Sequence, residues 1–150
     1  MQFMPVQEDP KQYLDLLLLA DESETMIESY LERGTLFVLQ EPEGVIGVCV
    51  VTDEGGGVLE IKNLAIDPQY QGHGYGRLMI EKVAKHFASS YAILQVGTGD
   101  SPLTVPFYEK CGFSYYTTLP HFFIDHYDHP IVEAGKQLVD MIVLRRHISV

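Results

Sequence analysis

Three glycines stand at alternate positions in Gln71-Gly72-His73-Gly74-Tyr75-Gly76-Arg77. An apolar run ending at Ile66 and closed by Asp67-Pro68 precedes them, and a helical pattern begins on the same residues. Glycine lets a backbone approach a ligand with its N–H groups bare. The first four N–H groups of a helix have no internal partner, and the helix dipole adds positive character there. The combination suits a phosphate or pyrophosphate. Neither common phosphate motif fits. A P-loop needs Lys-Ser or Lys-Thr after the glycines, and the dinucleotide fingerprint spaces them GxGxxG where this chain has GxGxG. An unliganded glycine turn is the plain alternative, since glycine punctuates many loops.

The elements that hold this turn can be read from periodicity. Met1 to Val6 reads as a short strand, Pro10 to Ala20 as a helix and Ser23 to Arg33 as a second helix closed by Gly34. Three hairpin-linked strands follow, Thr35 to Gln40, Val45 to Thr52 and Val58 to Ile66. A helix from about Gly74 to Ala88 carries Met79, Ile80, Val83, Ala84 and Phe87 on one face. Tyr91 to Val96 reads as a buried strand, and Pro102 to Lys110 as a helix in which Pro106 forces a kink or a late start. Phe113 to Thr118 and Leu138 to Arg145 are the last strands, joined by a connection over His121 to Gln137. This order gives an α+β fold, a mixed sheet with helices on both faces.

Bulk composition narrows the function. The 150 residues, 46% of them hydrophobic, suit a single domain over residues 1–150. A formal charge of −11 argues against nucleic acid and anionic membrane surfaces, and would help collect a cationic substrate such as a protonated amine. Cys49 and Cys111 form no CxxC pattern and no disulfide framework. No basic region leading into an apolar stretch and a cleavage site opens the chain, so a cytoplasmic location with reduced thiols is expected.

Gln71-x-x-Gly74-x-Gly76 resembles the Q/R-x-x-G-x-G/A signature of the GNAT superfamily of N-acetyltransferases. Phe107-Tyr108-Glu109-Lys110-Cys111-Gly112-Phe113 looks like the FYEKxGF segment of that superfamily, in the expected order. The element order resembles its fold over nearly the whole chain. The resemblance implies a mixed, mostly antiparallel twisted sheet whose fourth and fifth strands splay apart around acetyl-coenzyme A.

Carried onto this chain, backbone groups of Leu64, Ala65 and Ile66 would bond the pantetheine arm. Gln71, Gly72, His73, Gly74, Tyr75, Gly76 and Arg77 would hold the pyrophosphate. Tyr108 matches the tyrosine that protonates the departing thiolate, and a packed aromatic is its alternative reading. Glu60, eleven positions before Gln71, stands where histone-type members carry a catalytic glutamate. Its alternatives are a solvated strand residue or a partner of Lys62, with a water chain acting as base instead. Family members often carry an Asn before the FYEKxGF helix. This chain has Asp100-Ser101, and Ser101 or Asp100 is the expected replacement for that cap, with Ser101 taken as the coenzyme contact. No covalent enzyme intermediate is implied, and the resemblance also admits a homodimer.

His121, Phe122, Phe123 and His126 fall where this superfamily often builds its acceptor pocket, and aromatics beside acids can hold an amine. A metal site there has the ligand chemistry but no standard spacing, so no metal is expected. A packed loop or a dimer contact is the plain alternative. The expected activity is direct acetyl transfer to a primary amine, of a small molecule first. A protein lysine or N-terminus and a non-catalytic coenzyme A-binding module are the alternatives.

Overall fold

Side chains alternate across a strand, so a strand that is apolar on both faces needs cover on both. Thr35–Glu41 is such a strand. Its Leu36 and Val38 pack with Leu17, Ile27 and Tyr30, while its Phe37 and Leu39 pack with Met79, Ile80 and Val83. These two clusters lie on opposite faces of one sheet, and each recruits its own helices.

The computed structural model describes residues 1–150. Its strands are β1 (Gln2–Pro5), β2 (Thr35–Glu41), β3 (Gly44–Gly55), β4 (Val58–Ile66), β5 (Ile93–Gly99), β6 (Ser114–Leu119), β7 (Val132–Glu133), β8 (Lys136–Gln137) and β9 (Met141–His147). Seven form one sheet in the order β1-β2-β3-β4-β5-β9-β6, and β7 pairs only with β8. Helices α1 (Leu14–Ala20) and α2 (Glu24–Arg33) cover one face. Helices α3 (Tyr75–Phe87) and α4 (Val105–Lys110) cover the other, and the short α5 (Phe122–Asp125) follows β6. All pairings in the main sheet are antiparallel except β4 with β5. This is the mixed, mostly antiparallel sheet with helices on both faces that the sequence implied. No helix is long and apolar enough to cross a membrane.

Two irregularities shape the middle of the sheet. The β4–β5 ladder runs only from Val58 opposite Ile93 to Ile61 opposite Val96. Beyond it β4 stays with β3 as far as Ile66, and β5 stays with β9 as far as Gly99, so the two strands part. At the same point Asn63 pairs with Val50 and Ile61 with Val51, which leaves Lys62 as an extra residue. Such a bulge flips the alternation. Leu59, Ile61, Leu64 and Ile66 therefore all pack on the α3 face, while Asn63 and Ala65 turn toward α1 and α2.

Several boundaries differ from the sequence reading. Pro10–Tyr13 is a 3-10 turn, and α1 begins only at Leu14. The helix expected from Pro102 starts at Val105, so Pro106 sits in the first turn, where a missing N–H costs little. Strand β5 continues through Gly97 and Gly99, because the Met141 and Leu138 side chains fill the space where a side chain at those positions would stand. The connection 121–137 holds α5 and the β7–β8 hairpin, whose turn residues Ala134 and Gly135 have φ of 52° and 75°. A type I′ hairpin turn needs positive φ at both of its central residues. Cys49 and Cys111 are buried and unpaired, and burial pushes the Cys49 thiol up to about 12 and the Cys111 thiol up as well.

Candidate active site

The parting of β4 and β5 opens a cleft of about 790 Å³ through the sheet. On the α3 side Gln71 lines it, and the glycines that follow Gln71 in the chain stand outside that lining. No backbone N–H from Gly72 to Arg77 donates to a protein acceptor, and the ladder of α3 starts with Leu78 donating to Gly74 at 3.1 Å. Gly72 and Gly74 have φ of 80° and 83°, and no atom lies within 4 Å of where a Cβ would stand on either. Bare donors, open space and a 13-residue helix aimed at them are what a pyrophosphate requires. The third glycine has a different task. A Cβ on Gly76 would stand 3.1 Å from the Phe107 ring, so this position lets α3 close on α4.

The flanking side chains fit the same use. Gln71 Nε2 donates to the Ile66 carbonyl at 2.9 Å, which ties the turn to the end of β4. His73 and Tyr75 form an edge contact at 6.4 Å, and Arg77 is exposed without an ion pair. Leu64, Ala65 and Ile66 line the cleft beyond the end of the β4–β5 ladder. Strand edges freed in this way can pair with an extended ligand.

Helix α4 brings Tyr108 to the cleft. Its ring packs on Phe107 and Phe113 at 5.1 and 5.7 Å, and burial pushes its phenol well above the usual range. Ser101 stands elsewhere. It is buried outside the cleft, its Oγ accepts from Leu103 N–H at 3.1 Å, and its carbonyl accepts from Thr104 and Val105. That Oγ bond turns the chain toward α4.

A family model for the GNAT acetyltransferase domain matches residues 32–115, more than half of the chain, including the glycine turn and Tyr108. The chain belongs to the GNAT acetyltransferase family. YvbK of Bacillus subtilis, an uncharacterised N-acetyltransferase, is 35% identical over 132 residues, 87% of this chain and 85% of that one. A GNAT acetyltransferase from Elizabethkingia anophelis, solved with acetyl-CoA bound, superposes with a TM-score of 0.88 at 33% identity over 97% of both chains. A Bacillus subtilis acetyltransferase in complex with CoA gives 0.85 at 32% identity, again over 97% of both. This GNAT chain is an N-acetyltransferase, with acetyl-coenzyme A as donor.

The face of the GNAT sheet opposite α3 carries the other half of the cleft. Glu60, Gln95 and Arg145 stand side by side on β4, β5 and β9. Glu60 is ion-paired with Lys62 and accepts from Gln95 Nε2, and Gln95 Oε1 accepts from Arg145 Nε at 2.7 Å. The Arg145 guanidinium lies 3.6 Å from the Tyr116 ring centroid. Asp21, between α1 and α2, accepts from Tyr30 at 3.0 Å and from Tyr127 at 2.9 Å. Burial first, and the Asp21 charge next for Tyr127, push both phenols up, so they stay donors. His129 reaches Glu22 at 3.1 Å, a second link from the 121–137 connection to the α1–α2 loop.

Phe122 and Phe123 line this GNAT cleft, but His121 and His126 do not. The His121 backbone donates to Asp140, and His126 packs on the outer side of Phe122 with ring centroids 4.3 Å apart. No group of three or more His, Cys, Asp or Glu gathers as a metal site would need. Asp21, Tyr30, Tyr127, Glu133 and Arg145 line the cleft too, and sequence reasoning did not select them. Only the acid and aromatic content of the connection hinted at Tyr127 and Glu133.

Proposed function

We propose that this enzyme acetylates the primary amine of a small molecule held between the α1–α2 loop and the 121–137 connection. The observation that carries the reading is the pair of links, Tyr127 to Asp21 and His129 to Glu22, that ties those segments together across the cleft. A peptide substrate needs an open groove, whereas these links favour a pocket. The excess of acid over base in the chain favours a cation. The two unpaired thiols suit a reducing cytoplasm.

The donor supplies an acetyl thioester. Gly72 to Arg77 would hold its pyrophosphate and Leu64 to Ile66 its arm. A free alkylamine is mostly protonated at neutral pH, so a proton must leave before nitrogen attacks the carbonyl carbon. Glu60 is our candidate to take that proton, directly or through water, at the expense of its contact with Lys62. The nitrogen–carbon bond forms and the carbon–sulfur bond breaks. Tyr108 gives its proton to the sulfur and regains one from the nitrogen, which sheds its second proton to become the amide, while Glu60 returns the first to solvent. Burial keeps Tyr108 protonated until then, and the same dry surroundings make a thiolate beside it more basic.

The test is thiol release from acetyl-coenzyme A over a panel of primary amines and a lysine peptide. We expect turnover of a small amine, with kcat about a hundredfold lower in Tyr108→Phe and about tenfold lower or less in Glu60→Gln. Acetylation of the peptide alone would refute the small-molecule reading. An unchanged kcat in Tyr108→Phe would remove the acid.

A further inference from the structure

The charged groups that line the cleft can be matched one against another. Arg33 bonds Glu54 at 2.9 Å, Lys62 pairs with Glu60, and Glu22 meets His129 at 3.1 Å. Asp21 has no cation, yet Oδ1 accepts from Tyr127 and from the Ser23 N–H, and Oδ2 accepts from Tyr30. Two groups remain. Glu133 forms no ion pair, and its Oε2 is sealed from water without a hydrogen-bond donor. Arg145 forms no ion pair either. Only its Nε is engaged, on Gln95, and its terminal nitrogens find no protein acceptor above the Tyr116 ring.

Each leftover is costly or idle by itself. A sealed carboxylate oxygen without a donor is among the more expensive things a fold retains, and such groups tend to mark function. The last torsion of a glutamate is soft, so a small turn would present that oxygen to the cleft. Glu133 already lines the cleft, and its charge acts on Tyr108, the proposed acid. A guanidinium held at Nε and flat on an aromatic ring keeps its outer edge for a planar anion.

We propose that the acceptor is an amine that also carries a carboxylate, an amino-acid-type zwitterion. Glu133 receives its nitrogen and Arg145 its carboxylate. The proposal rests on the small-amine reading above and narrows it. One unmatched anion and one unmatched cation in a single cleft are the complement of such a molecule. Phe122, Phe123 and Tyr116 give its apolar part a wall.

The experiment compares α- and ω-amino acids, each beside its own carboxamide, as acceptors in thiol release from acetyl-coenzyme A. The carboxamide keeps the amine and the shape and removes the negative charge. Because that also lowers the pKa of an α-amine, the α pairs are compared per free amine, and the ω pairs, where the groups lie far apart, serve as the check. At least one acid should exceed its carboxamide by about tenfold in kcat/KM, the worth of one charge-assisted contact. Arg145→Gln should cut that preference by about tenfold, while Arg145→Lys, which keeps the charge, should keep part of it. Glu133→Gln should lower kcat/KM for acid and carboxamide alike, with the KM for acetyl-coenzyme A unchanged as the check on folding. Carboxamides or simple amines used as well as the acids would overturn the zwitterion and leave the small-amine reading intact. Acetylation of a lysine peptide with no turnover of any small amine would overturn both. A preference for the acid that survives Arg145→Gln undiminished would remove Arg145 from the site.

Discussion

The two halves of the cleft are built from different materials. The proposed coenzyme side is made of backbone: the bare N–H groups of Gly72 to Arg77, which follow Gln71 at the cleft, and the freed edge of β4. The acceptor half is made of side chains that meet from far apart, with Asp21 and Tyr127 106 positions away from each other in the chain. A backbone site needs only a local chain path, and glycine spacing writes that path into seven residues. A side-chain site can change its ligand by substitution while the sheet beneath it stays the same. The first half therefore reports the family, and the second reports the member.

That contrast can be broken at either end. The largest effect should come from Gly74→Val, which forces a β-branched residue to a φ of 83°. Strain of about 1–3 kcal/mol in the cradle should weaken coenzyme binding by about tenfold to a hundredfold, read by calorimetry. Unchanged affinity would mean the cradle lies elsewhere. Tyr127→Phe should act on the other half alone. Losing one hydrogen bond to Asp21 should raise the KM for the amine about fivefold, with the coenzyme constant unmoved. Equal changes in both constants would show that the halves are not separable.

The smallest effect is one of pH. Hydrogen bonds to Asp128, and then to Glu22, raise the pKa of His129. A group raised on folding stabilises the fold fully below its unfolded pKa of about 6.5, and that stability is lost as pH rises through the folded value. The melting temperature should therefore fall slightly as pH climbs from mildly acid to mildly alkaline. In His129→Ala that part of the slope should vanish. An identical slope in both proteins would show that the link between His129 and Glu22 carries no weight in solution.

Most of the fold was legible because the chain punctuates itself. Gly34, the turns at Gly44 and Gly55 to Gly57, and Asp67-Pro68 all mark real ends of elements. The late start at Val105 was one of the two outcomes Pro106 allowed. The continuation of β5 through Gly97 and Gly99 was not legible, since glycine reads as a breaker until Met141 and Leu138 are known to fill its place. In the site, Gln71 to Arg77 and Tyr108 were chosen by motif. Ser101 was chosen by analogy with a cap, and its hydroxyl accepts from the Leu103 N–H outside the cleft. His121 and His126 were chosen by residue type, yet a four-residue helix turns both away from the cleft. Asp21 carries no local signal, because its meaning comes from a tyrosine that arrives much later in the chain.

The buried cysteines have a practical side. Released coenzyme A is usually followed by trapping its thiol, and a protein with reactive cysteines blurs that signal. Cys49 and Cys111 are closed off and poorly ionised in the native chain, so the folded enzyme should be silent to the dye. Any slow gain of two thiols per chain in the absence of an amine then counts molecules that have lost their structure, and each assay carries its own gauge of how much enzyme is still intact.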